Sequence, residues 1–445
     1  APDADLELTL RNRLAAWSGA PAANISLHPS GMAAIFTAFE AVTARRPGRR
    51  TVMFGFPYTD TLKILSKFGH GVEFYPRGDA EDLARLRDLL AQEEIAGIFC
   101  EFPSNPLLHV PDLPALHAMA AAKGVPVVVD DTIGTFFNVD VLPHADFVAT
   151  SLTKAISGEG DVMAGALTVN PHGLFAALPP STAPGGIYAR DLQILERNAR
   201  DFPERMKIAN RNAMELAAWL ATQRGVEKVS YPGLDPSPVY EQLRKSGGGY
   251  GAVISFLPRD AARNTPRIFE KLRVSRGISL GTSYSLVCPY VQLAHYHELG
   301  WARACGIDPY LLRIAVGTEP WEDLRRRFEG ALALKEHGRG YPRPCLVQAV
   351  GFPGSVAGSS EGLLFQGKHP RTDFFHARHR VNASGEIGLR VGNFPNVFVL
   401  LQTLQDRVDI HRTAGALEDF VDRRCERTAR GRRALLAFER RGARF

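Results

Sequence analysis

Short apolar runs alternate along the first 220 residues with longer stretches whose apolar positions recur every three to four residues. Ile98-Phe99-Cys100 and Val127-Val128-Val129 are of the first kind, and 82–92 and 113–123 are of the second. Continuous apolar, β-branched runs predict strands buried on both faces, and the longer periodic stretches predict amphipathic helices. Their alternation is the βα rhythm of a mostly parallel sheet, so the expected class is α/β. A further helix is expected from Ala33, Ile35, Phe36 and Phe39, opened by Ser30-Gly31-Met32. From Val226 to about Leu334 the pattern changes to Val229-Ser230-Tyr231-Pro232-Gly233, the glycine cluster at 247–251 and a strand over 252–256. That cluster precedes a strand rather than opening a helix, so it reads as a turn and not as a nucleotide loop. The expected division is a large domain over 1–220, a smaller one over 221–345 and a C-terminal extension over 346–445, entered through a Gly/Ser-rich linker at 351–362.

The run Val127-Val128-Val129 ends in Asp130-Asp131-Thr132, and Ser151-Leu152-Thr153-Lys154 follows some twenty residues later. A buried strand ending in a carboxylate delivers Asp130 to the open end of the sheet, where ligands bind in doubly wound proteins. A second strand then brings Lys154 beside it. Pyridoxal 5′-phosphate (PLP) needs that pair, an amine to hold its aldehyde as a Schiff base and a carboxylate to keep its pyridine nitrogen protonated. Ser151 and Thr153 flank the lysine with hydroxyls suited to phosphate oxygens. Gly31 and Met32, at the start of a helix, offer free backbone N–H groups for the same anion.

With these residues in view, the chain resembles the Cys/Met-metabolism family of PLP enzymes from about residue 7 to about residue 340. The resemblance rests on ordered motifs: Ser30-Gly31-Met32-Ala33-Ala34, Glu101-Phe102-Pro103-Ser104-Asn105-Pro106, Val129-Asp130-Asp131-Thr132, Ser151-Leu152-Thr153-Lys154, Ser279-Leu280-Gly281 and Leu312-Arg313-Ile314-Ala315-Val316-Gly317. It implies the PLP-dependent transferase fold of type I, with residues 1–220 as the PLP-binding domain. Lys154 is implied as the Schiff-base lysine, Asp130 as partner of the pyridine nitrogen, and Asn105 as donor to the phenolic ring oxygen. Gly31, Met32, Thr132, Ser151 and Thr153 complete the implied cofactor site. Tyr58, in Phe56-Pro57-Tyr58-Thr59-Asp60-Thr61, falls where the family keeps a tyrosine on the ring, poised for proton transfer as a second base beside Lys154. Arg313 matches the clamp for a substrate α-carboxylate, a task suited to a planar, bidentate guanidinium. Ser285 is expected either to help hold the lysine or substrate, or to be a plain turn serine.

Departures from the common pattern narrow the resemblance. Pro57-Tyr58-Thr59-Asp60-Thr61, Asp131-Thr132-Ile133-Gly134, Thr282-Ser283-Tyr284-Ser285, Pro289-Tyr290 and Ala294-His295-Tyr296 resemble the fungal-type cystathionine γ-synthase-like branch, which includes enzymes that use O-acetylhomoserine. The implied reaction is replacement at Cγ of an O-acylhomoserine-type amino acid, through a vinylglycine-type ketimine, by a sulfur or carbon nucleophile. Protonation before a nucleophile arrives would make the same site a γ-lyase. The implied partners are an amino-acid substrate and a nucleophilic co-substrate, and the implied assembly is a homodimer or homotetramer.

Composition changes this picture only at the C-terminal end. Residues 346–445 carry 16 Lys and Arg against 10 Asp and Glu, so the whole formal charge of +6 falls there and residues 1–345 balance. A basic tail raises a second function class, a binding protein acting through clustered arginines. The tail has no recognisable nucleic-acid motif, and an amphipathic helix over 417–438 is expected instead. No apolar run approaches the roughly 20 residues that span a membrane. Cys100, Cys288, Cys305, Cys345 and Cys425 lack C-x-x-C spacing and suit reduced thiols in the cytoplasm. His369, His376 and His379 lack a third-ligand motif, so no metal is expected.

Overall fold

The computed structural model describes residues 2–177 and 186–333, together with four two-residue strands farther along. Residues 1–338 and 339–445 form two compact units. In the first unit, a seven-stranded sheet is built from β1 (Ile25–His28), β2 (Thr51–Phe54), β3 (Val72–Tyr75), β4 (Ile98–Glu101), β5 (Val127–Asp130), β6 (Phe147–Ser151) and β7 (Gly165–Val169). Its order is β1-β7-β6-β5-β4-β2-β3. From β3 through β6 every neighbour is parallel, and β7 runs antiparallel to both β6 and β1.

The parallel order follows from the helices between the strands. These are α1 (Pro2–Ser18), ahead of β1, then α2 (Gly31–Arg45), α3 (Thr59–Phe68), α4 (Ala80–Gln92) and α5 (Leu113–Ala121). Asp79 caps α4 and Asp112 caps α5, each accepting the backbone N–H three residues on. Along β5 the side chains alternate between two cores. Val127 and Val129 pack with Leu113 and Leu116 of α5, whereas Val128 packs with Phe147, Leu167 and the α2 residues Ile35, Phe39 and Val42. All three valines are at most 2% exposed, and each such burial is worth roughly 1.5–3 kcal/mol. A strand apolar on both faces therefore has one stable place, the middle of a covered sheet.

The helix Phe202–Ala221 leads to a five-stranded sheet. It comprises β8 (Val226–Ser230), β9 (Val253–Pro258), β10 (Ser275–Arg276), β11 (Leu286–Pro289) and β12 (Leu312–Ala315), in the order β10-β11-β12-β9-β8. All its pairs are antiparallel except β10 with β11. The proposed division at residue 220 falls at the end of the helix Phe202–Ala221. Residues 247–251 form a turn, as the order of glycines and strand predicts.

Of the second unit, Leu364–Phe365 pairs with Phe375–His376, and Arg390–Val391 with Leu436–Ala437. The linker expected at 351–362 and the helix expected over 417–438 lie outside the described residues, apart from Leu436–Ala437, which is strand. Cys345, Cys425, His369 and His379 also lie outside them. Among the described residues no helix is long and apolar enough to cross a membrane, and no cluster of His, Cys, Asp and Glu could hold a metal.

Candidate active site

Glu101 and Asp130 end β4 and β5 at matched register, so two carboxyl groups lie side by side where the parallel sheet opens. Burial and the charge of Asp130 hold Glu101 well above the usual carboxylate range. Burial also raises Asp130, but the hydroxyl and N–H of Thr132 and the charge of Lys154 oppose that rise. Of the two, Glu101 is thus held more strongly toward its protonated form and Asp130 is better able to keep its charge. Asp130 Oδ1 accepts the Thr132 N–H at 2.9 Å, and Thr132 Oγ1 accepts the Ser151 N–H at 2.8 Å, which ties the ends of β5 and β6 together.

Lys154 lies in the turn after β6. Its Nζ donates to Ser279 Oγ at 3.2 Å. Burial, and then the charge of Arg313, lower its pKa against the opposing pull of Asp130. Gly281 has φ +76°, and a Cβ there would stand 2.4 Å from the Ala155 nitrogen. Only glycine lets the Ser279–Gly281 segment lie against the lysine turn.

Arg313 comes from β12 and is 3% exposed. Its Nη1 donates to Asn105 Oδ1 at 2.9 Å, and its Nη2 donates to the Ile278 carbonyl and faces that of Ser279. Asn105, just beyond β4, donates through Nδ2 to the Tyr290 hydroxyl at 2.8 Å. Tyr58 precedes α3 and is 43% exposed, and its N–H donates to Glu101 Oε1 at 2.5 Å. Burial and Asp60 raise its phenol above the ordinary value.

At the start of α2, Ser30 Oγ accepts the Ala33 N–H at 3.1 Å. The N–H groups of Gly31 and Met32 have no hydrogen-bond partner among the described residues. A Cβ on Gly31 would stand 2.7 Å from Ser151 Cβ, so its absence brings this helix start against Ser151. Thr153 Oγ1 is engaged in both directions by the backbone of Ala164. Two free N–H groups beside the Ser151 hydroxyl suit a phosphate, an ionised Asp130 suits a protonated pyridine nitrogen, and a buried amine of lowered pKa suits an aldehyde. The residues present thus fit PLP.

Of the two roles open to Ser285, its contacts fit the turn serine in place of a contact with the lysine: its Oγ donates to Glu319 Oε2 at 2.9 Å and accepts the Gly317 N–H at 2.9 Å, and its own N–H donates to Glu319 Oε1. It ties a turn together, and the serine at the lysine is Ser279. Glu101 and Tyr290 were also missed as members of the site. The signals were available, since Ser279 opens the Ser-Leu-Gly motif and Glu101 opens the motif that contains Asn105.

Asp131 points away from this cluster and gives a measurable pH effect. It is fully buried, Oδ1 accepts the Thr150 hydroxyl at 2.5 Å, Oδ2 has no partner among the described residues, and burial raises its pKa from 3.8 to about 7. Between those values the folded chain holds a proton that the unfolded chain has lost. Stability from this group falls as pH rises through that window, by up to roughly 4 kcal/mol. Asp131→Asn is expected to flatten the decline in urea-unfolding free energy between pH 4 and 7; parallel profiles for parent and variant would contradict this.

The relatives agree with the cofactor that these residues fit. The chain is 38% identical over 345 residues to a cystathionine gamma-synthase-like enzyme, iboG1, of Amanita muscaria, covering 70% of this chain and 56% of that protein. It is 40% identical over 331 residues to a cystathionine gamma-synthase of Neurospora crassa, covering 72% and 53%. The chain thus spans little more than half the length of these relatives. Among solved structures, the cystathionine gamma synthase of Xanthomonas oryzae pv. oryzae in complex with aminoacrylate and cysteine is similar, with TM-score 0.63, 26% identity and coverage of 74% of this chain and 85% of that one. A methionine gamma lyase of Micromonospora echinospora matches with TM-score 0.60 and 29% identity, covering 72% and 84%. Residues 6–333 match the Cys/Met metabolism PLP-dependent enzymes, and the chain belongs to that family.

Proposed function

We propose that this chain replaces the γ-substituent of an O-acylhomoserine-type amino acid with a sulfur or carbon nucleophile. The observation that carries the reading is the meeting of Lys154, Asp130 and Arg313 in one buried site, where both charged groups act on the lysine amine. Bound PLP supplies an electron sink that makes protons at Cα and Cβ of an attached amino acid acidic. Arg313 then takes the α-carboxylate, which replaces the Ile278 carbonyl as acceptor at Nη2. Lys154 Nζ, its pKa lowered by burial, is free to accept the Cα proton and pass it on, then to accept the Cβ proton as the γ-group leaves, and to return both after the nucleophile adds, with Ser279 Oγ holding the amine in place. Tyr58, at the open side, is the second group that can take part in proton transfer, and the acyloxy group leaves as its carboxylate. Asp130 would hold the ring nitrogen of a bound cofactor as a carboxylate, helped by Thr132 and Lys154, which oppose the rise in its pKa. In this reading the chain works in the cytoplasm, as a homodimer or homotetramer.

Purified protein, PLP and O-acetylhomoserine, without and then with thiol or carbon nucleophiles, test the reading by mass spectrometry of the products. The expected product keeps the four-carbon amino-acid skeleton joined to the nucleophile. Formation of 2-oxobutanoate alone, with nucleophile present, would overturn replacement in favour of γ-elimination, the chemistry named for the Micromonospora relative.

A further inference from the structure

Tyr290 and His295 belong to segments that set this chain apart from the common family pattern, and the reaction outlined above gives them no task. Both are buried, at 4% and 2% exposure. The Tyr290 ring lies under the Arg313 guanidinium, whose carbon stands 4.7 Å from the ring centroid. Its hydroxyl accepts the Asn105 Nδ2–H at 2.8 Å, while Asn105 Oδ1 accepts from Arg313. A primary amide has two N–H groups. With one held by Tyr290, the other is left to face a ligand, and the carbonyl can only face the arginine. The same Tyr290 hydroxyl also meets the Thr59 side chain. Thr59 Oγ1 stands 3.4 Å from His295 Nε2, and His295 Nδ1 lies 2.7 Å from Glu298 Oε1. The His295 ring is wedged against Phe56 and Trp301, with centroids at 5.3 and 5.5 Å.

We propose that Tyr290 is a positioning residue for carboxylate recognition, fixing Arg313 through its ring and the Asn105 amide through its hydroxyl, with Thr59, backed by His295, anchoring that hydroxyl. The anchor is useful because Thr59 is the first residue of α3, directly after Tyr58. One hydrogen-bonded line therefore sets both the clamp and the start of the helix that presents the phenol. A cation over an aromatic face and a buried hydrogen bond each hold a guanidinium to one geometry, and a bidentate clamp needs that geometry before substrate arrives. The proposal rests on Arg313 as the α-carboxylate clamp, so its test must separate the two.

The test uses PLP-loaded parent and Tyr290→Phe enzymes and two ligands, L-homoserine and 3-amino-1-propanol, which share a chain and differ by the carboxylate. Affinities are read from the change in cofactor absorbance on titration, without turnover. The parent is expected to prefer homoserine strongly. Tyr290→Phe is expected to lose about 10-fold of that preference, the effect of one hydrogen bond serving a charged clamp, with affinity for the amine unchanged. In turnover the loss should appear in KM more than in kcat. A parent without preference for homoserine would remove the Arg313 reading itself. A parent with preference and a variant that keeps it would overturn the role of Tyr290 alone, as would equal weakening of both ligands. Thr59→Val, which removes only the hydroxyl beside that of Tyr290, should lower the preference in the same direction by about 3-fold. It carries the test should Tyr290→Phe not fold, and an unchanged preference there would overturn the proposal.

Discussion

Lys154→Ala is expected to reduce turnover by about 10⁴-fold or more, because one side chain both holds the cofactor and moves the Cα proton. Borohydride reduction followed by peptide mass spectrometry checks the first role: the parent should carry the reduced cofactor on the peptide containing Lys154, and the variant should carry none. Added methylamine should restore part of the turnover by supplying a small amine to the cavity. The fold should survive, since the amine makes a single side-chain hydrogen bond, to Ser279, and burial already disfavours its charge. A thermal midpoint within a few degrees of the parent would separate loss of chemistry from loss of structure. A variant as fast as the parent would show that Lys154 is not the lysine of the reaction.

Asp130→Asn should lower kcat by about 10²- to 10³-fold, the usual effect of removing one preorganised charge from a buried site. The change is nearly isosteric, so packing is preserved while the carboxylate charge is lost. The same substitution has a second readout with a definite sign. Asp130 raises the pKa of Lys154 and Arg313 lowers it. Because burial lowers the Lys154 pKa, the pH midpoint for capture of PLP by the apoprotein is expected below the ordinary lysine value of 10.5. It should move farther down in Asp130→Asn and upward in Arg313→Leu. Stopped-flow absorbance across pH would follow both shifts, and movement in the same direction for both variants would contradict the arrangement of charges described here.

The two serines show how far local pattern reaches. Ser279 and Ser285 lie six residues apart in one glycine-containing stretch, and although Ser279 opens the Ser-Leu-Gly motif, what each serine touches is set by residues far away in the chain. The answer depends on Gly281, whose lack of a Cβ lets the segment touch Ala155, and on Glu319, which engages Ser285 from a later loop. Tyr58 shows the same limit for charge. Its place beside the site was legible, but its protonation depends on burial and on Asp60. Glu101 was visible within the motif that contains Asn105, yet its raised pKa arises first from burial in the assembled sheet and then from Asp130, which β4 and β5 bring into register with it.

The sequence by itself determined the α/β class, the central strand that ends at Asp130, the helix that opens at Gly31 and the residue types of a PLP site. Those features are written in short-range periodicity, caps and strand-end chemistry, where neighbours a few residues apart decide the outcome. Tertiary structure alone decided which partners meet: Lys154 with Ser279 across 125 residues, and Arg313 with Asn105 across 208. It also decided which acid is held more strongly toward its protonated form and how far the lysine amine is desolvated. Both depend on how much water the assembled sheets exclude, and that is a property of the packed sheets rather than of any local stretch of chain.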